Sequence, residues 1–100
     1  MELKYTPRAI KEIEEESKRP VQDTLADFSM KTILLFVRKG LMISEEEAYK
    51  VIEDYLAEGK DTFELYLEIT EKLQEGGFLP RKLNLKKVQE EMNRAIEKGV

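Results

Sequence analysis

The chain has 100 residues, 41% hydrophobic and 38% charged, a formal net charge of −4, and neither cysteine nor histidine. That length supports one domain and not two with separate cores, and the balance suits short amphipathic helices better than packed sheets. Missing Cys and His exclude disulfides, thiolate nucleophiles, imidazole bases and the common zinc sites, which fits a reducing, cytoplasmic setting, while net acidity opposes generic nucleic-acid binding.

The opening MELKYTPRAI has no apolar run behind a basic start, so no secretion signal is expected. No stretch approaches the roughly 20 apolar residues of a membrane span, so no membrane partner is expected either. Thr6-Pro7 places a capping hydroxyl before a proline at the first helical position, where its missing N–H costs nothing. Tyr5 and Ile10 occupy the two positions of a hydrophobic staple. Ala9, Ile10 and Ile13 then share a face, glutamates cover the rest, and Arg19-Pro20 stops the helix, which is expected over about 7–18.

Val21, Leu25 and Phe28 stand at i, i+4 and i+7, compatible with a short helix or turn over 20–28. Ser29 offers a cap for a helix from Met30 to Lys39, with Gly40 where a left-handed terminal residue belongs. Met30, Ile33, Leu34, Phe36 and Val37 span most of its circumference, so this helix is expected to be central. Leu35 falls among Lys31, Arg38 and Lys39 on the polar side.

Ser44 with Glu47 forms a capping box before an apolar face of Ala48, Tyr49, Val51, Ile52, Tyr55 and Leu56, and Gly59 closes that helix. Asp61 starts the next, which Gly76-Gly77 ends. Along it Glu64, Glu68, Glu71 and Glu75 form an acidic stripe. Phe78-Leu79-Pro80 must then be extended or turned.

Asn84 can cap a last helix over about 85–98, with Leu85, Val88, Met92, Ala95 and Ile96 in a narrow seam and Lys87, Arg94 and Lys98 on another face. Residues 81–98 hold six basic and three acidic side chains, a local +3 that leaves −7 for the remainder. Residues 81–100 thus read as a basic helix that docks on the body or on a partner. The expected fold is all-α, a single small bundle of about five or six short helices.

No chemical constellation emerges. The carboxylates sit on hydrophilic faces, whereas acid–base pairs need an apolar cleft that raises a pKa. Asp54, Glu58, Asp61 and Glu64 surround a glycine turn without the alternating oxygen ligands of a calcium loop. Gly76-Gly77 precedes Phe-Leu-Pro and no helix start, so no phosphate loop is present and no cofactor is expected. A helix-turn-helix across Glu58–Asp61 is a rival, but its reading helix would bring glutamates to a phosphate-lined groove. A non-enzymatic protein-binding module remains. Leu35, Phe36, Phe78 and Leu79 are its expected affinity groups, and the stripe Glu64, Glu68, Glu71, Glu75 pairs with Lys87, Arg94 and Lys98 within one fold or between copies of a homo-oligomer.

The order of motifs LKYTPRAIKEIEEE, SEEEAYKVIEDYLAEG and YLEITEKLQEGGFLPRKL resembles the tail assembly chaperones of long-tailed phages and prophages of Gram-positive bacteria, over essentially the whole chain. The resemblance implies a small helical protein of the host cytoplasm that is not an enzyme. It implies one that coats the tape-measure protein, keeps it soluble, and helps the major tail protein polymerise around it. A small regulatory or adaptor protein with one globular partner is the alternative reading.

Overall fold

The start and stop signals fix the elements. In the computed structural model, which describes residues 1–80, the fold is all-α, with five helices in this region: α1 (Pro7–Ser17), α2 (Val21–Ala26), α3 (Met30–Leu41), α4 (Glu45–Ala57) and α5 (Thr62–Glu75). The helix expected over 85–98 lies outside the described residues. No helix in the described region is long and apolar enough to cross a membrane.

Each cap expected among the described residues forms. The Ala9 N–H donates to Thr6 Oγ1 at 3.1 Å, the Thr32 N–H to Ser29 Oγ at 3.3 Å, and the Glu64 N–H to Asp61 Oδ1 at 2.8 Å. At α4 the box is reciprocal: the Glu47 N–H donates to Ser44 Oγ at 3.2 Å and the Ser44 N–H to Glu47 Oε1 at 3.4 Å. Helix α2 has no capping side chain of its own, because Pro20 precedes it. Glu14 takes that place from α1, its Oε2 accepting from the Val21 N–H at 2.8 Å, a carboxylate at a positive helix end.

Helix α3 is central: α1, α4 and α5 all pack against it, and α2 packs on α1. Its Ile33, Phe36 and Val37 are almost wholly buried, among Ile13 of α1, Ala48 and Ile52 of α4, and Leu65, Ile69 and Leu73 of α5. Each fully buried side chain of this kind stabilises the fold by about 1.5–3 kcal/mol relative to an exposed one. The chain before α1 is extended. Leu3 and Tyr5 are buried, the Lys4 N–H donates to the Gly40 carbonyl at 2.9 Å, and the Tyr5 hydroxyl donates to the Phe36 carbonyl at 2.8 Å.

Two expectations are corrected. Gly40 does not end α3: the helix runs on to Leu41, and Met42 takes the left-handed conformation with φ 58°. The reason is packing, since Gly40 lies buried against Leu3 and Tyr5. Helix α4 buries less than its apolar arc promises. Ala48, Ile52 and Tyr55 face the core, but Tyr49 and Leu56 are exposed because α3 covers only the inner part of that arc.

Met42 is 88% exposed, so its side chain contributes little packing while its backbone carries a left-handed strain of about 1 kcal/mol. Met42→Gly is therefore expected to stabilise the protein by about 1 kcal/mol, read as a higher urea midpoint at unchanged slope.

Candidate functional site

Three surface features compete. The first is a cleft of about 250 Å³ between α1, α2 and α3, with Leu35 in its wall. Glu16, Arg38, Arg19 and Asp27 in its wall are paired. Arg38 grips Glu16 with both terminal nitrogens, at 3.1 and 3.4 Å, Lys39 Nζ adds a contact at 3.4 Å, and Arg19 meets Asp27 at 3.5 Å. The Thr24 hydroxyl, also in the wall, is buried and donates to Ser17 Oγ at 2.8 Å. Hydroxyls here face carboxylates and guanidinium groups in a chain without histidine, so nothing in the cleft combines a nucleophile with an imidazole base.

Burial of the Glu16 carboxyl opposes its ionisation, but hydrogen bonding and charge from Arg38, with Lys39 beside it, hold its pKa below the ordinary value. A depressed folded pKa stabilises the fold above the free glutamate's pKa, and that stability is lost as pH falls through the folded value. Glu16→Gln is expected to cost under about 1 kcal/mol at neutral pH, as befits a solvent-screened pair. The difference from the parent should close on acidification below the carboxylate range, which urea titrations at the two pH values would measure.

The second feature is an acidic cleft of about 280 Å³ lined by Val51, Asp54 and Tyr55 of α4, Glu58 just after it, Glu68 of α5, and Met1 and Lys60. Lys60 Nζ lies 4.9 Å from the centre of the Tyr55 ring and 3.5 Å from Glu58 Oε2. Burial raises the Tyr55 hydroxyl's pKa, a hydrogen bond to the Glu68 carboxylate raises it further, and the charges of Glu68, Glu64 and Asp61 add to the shift. Glu68 Oε2 is shielded from solvent. No cluster among those residues has the ligands to hold a metal ion.

The third is an aromatic patch. The Phe28 ring meets those of Phe63 and Tyr66 edge-on, with centroids 6.2 and 5.0 Å apart. Tyr66 is anchored beneath by its hydroxyl, which donates to the Leu25 carbonyl at 2.9 Å. Phe28 is 40% exposed and Met30, two residues on, 44%.

The sequence-predicted residues divide among these places. Phe36 and Leu79, expected to supply affinity, are corrected: both are core residues, Phe36 because it lies on the inward face of α3 and Leu79 because the turn after α5 folds it under. Leu35 is half-buried in the polar cleft, and Phe78 is half-buried against Gly76. The glutamate stripe is uneven. Glu64, Glu71 and Glu75 are exposed, Glu75 pairing with Lys72 at 3.3 Å, whereas Glu68 turns into the acidic cleft. Lys87, Arg94 and Lys98 lie outside the described residues. At the rival helix-turn-helix, α5 begins with exposed Asp61 and Glu64, charges that repel phosphate.

Sequence reasoning missed the aromatic patch. The spacing put Phe28 on one face with Val21 and Leu25, but α2 ends at Ala26, and Phe28 stands between that end and the Ser29 cap of α3, with its ring partly exposed. Comparison of the chain with protein-family models, curated proteins and solved structures finds no match.

Proposed function

We propose that this chain is a non-catalytic protein-binding module that acts as a tail assembly chaperone, keeping a long helical client such as a tape-measure protein soluble and presenting it to the major tail protein. The observation that carries the reading is the apolar surface left open at Phe28 and Met30, with the half-buried Phe63 ring edge-on to Phe28. Exposed aromatic and methionine side chains of this kind suit a helical client whose contacts vary along its length, because methionine adapts its shape to the partner. A net charge of −4 opposes self-association of the free protein.

Co-expression with a tape-measure fragment tests this. The chaperone should raise the fragment's soluble yield and co-purify in many copies. Phe28→Glu with Met30→Glu should abolish that while the far-ultraviolet circular dichroism stays helical. Failure to bind any such fragment would end the proposal, and a fixed low stoichiometry would point to an adaptor with one globular partner.

A further inference from the structure

Helix α4 buries Ala48, Ile52 and Tyr55 and still keeps apolar side chains on its open side. Tyr49 is 42% exposed and Leu56 38%, and a spacing of seven residues sets them in line about 10 Å apart. At 3.6 residues per turn Glu45, Leu56, Tyr49, Glu53 and Glu46 fall, in that order, within an arc of about 100°. All five are exposed. The arc is therefore an apolar pair bordered on both sides by carboxylates, none of which has an ion-pair partner among the described residues.

The Tyr49 ring is held in place. Its hydroxyl donates to Glu45 Oε1 at 3.4 Å, one turn back. A side chain tied in its exposed position has less freedom to lose on binding, and tyrosine is among the residues that most often anchor interfaces.

The three carboxylates select what can cover the pair. A second copy docked through the same face would bring like charges together, and nucleic acid would bring phosphates, so both are repelled. A helix with apolar residues two turns apart and lysine or arginine on both flanks satisfies every group in the arc, and a cation beside the Tyr49 ring gains attraction from its face.

We propose that the outer stripe of α4 is a docking surface for a basic amphipathic helix of a partner protein. Apolar side chains of the partner cover Tyr49 and Leu56, and its lysines or arginines pair with Glu45, Glu46 and Glu53. None of these residues belongs to the Phe28 patch, so the stripe is a second surface, open to test whatever that patch binds.

The probe is a fluorescein-labelled synthetic heptad peptide with leucine along its seam and lysine on both flanks, titrated with the full chain. Its anisotropy should rise saturably to one peptide per chain, with amide resonances of residues 45–57 shifting. A peptide with glutamate in place of lysine, or one of the same composition in scrambled order, should not bind. Tyr49→Ala with Leu56→Ala should weaken binding about tenfold or more with the far-ultraviolet circular dichroism unchanged. Glu46→Lys with Glu53→Lys should transfer the preference to the glutamate peptide. Absence of saturable binding, equal binding of the scrambled peptide, resonance shifts confined to other helices, or indifference to either pair of substitutions would overturn the proposal. So would nuclear Overhauser contacts in the peptide-free chain between Tyr49 or Leu56 and residues after 80, which would give the surface to the chain itself. A dimer in sedimentation that Tyr49→Ala with Leu56→Ala dissolves would overturn it equally, by giving the surface to a second copy.

Discussion

Phe36→Ala is expected to destabilise the protein by about 3–5 kcal/mol, a large part of the roughly 5–15 kcal/mol that holds a domain folded. Phe36 has no exposed surface, and its ring meets that of Tyr5 edge-on at 6.0 Å, with planes at 79°. Truncation removes the apolar burial and leaves a cavity between α3 and the extended chain before α1, where the surroundings are tied by the Tyr5 hydroxyl to the Phe36 carbonyl and cannot collapse freely. The urea midpoint should fall at unchanged slope. Client binding should fall only with the folded fraction, whereas Leu35→Ala, at a half-buried position, should leave the midpoint much nearer the parent's. A loss below about 1 kcal/mol for Phe36→Ala would show that this position is not the centre of the core.

The second large effect is at Gly40. A Cβ there would stand 2.8 Å from Leu3 Cδ2 and 2.9 Å from both Tyr5 Cζ and its hydroxyl oxygen. The end of a leucine can move, but the tyrosine ring is buried and hydrogen-bonded. Alanine would bring about 1 kcal/mol of better helix propensity, set against an overpacking cost of about 1–3 kcal/mol. Gly40→Ala is therefore expected to destabilise modestly, and the bulkier Gly40→Val, with no such propensity advantage, by about 3 kcal/mol. Thermal melts of the two variants check the order. A stabilised Gly40→Ala would mean that the segment before α1 yields without cost.

These two positions mark the boundary of what the sequence disclosed. Caps are local, so Thr6, Ser29, Ser44 and Asp61 announced their helices, and the left-handed glycines Gly59 and Gly77 their ends. Gly40 carried the same local signature for a different reason, because its partners Leu3 and Tyr5 stand far away in the chain. Glu14 was hidden likewise: seven residues separate it from the Val21 N–H it accepts from, and helical periodicity records only that it is polar. Tyr49 and Leu56 share an arc with Ile52, yet which part of an arc is buried depends on where α3 lies. The candidate surface suffered most. A helical wheel marks Phe36 as apolar without saying whether the core or a partner covers it, and it puts Phe28 beside Val21 and Leu25 although α2 stops at Ala26, short of it.

The clasp between Tyr5 and α3 bears on biosynthesis. The five described helices depend on neighbours close along the chain for their initiation, but Leu3 and Tyr5 are made before α1 and find Phe36 and Gly40 only after some thirty more residues have been made. Leu73, fully buried on α3's flank, emerges later still. Closure of the core is therefore a late step whose speed is set by these long-range encounters, and a nascent chain arrested before α5 would display the greasy side of α3 to whatever lies nearby.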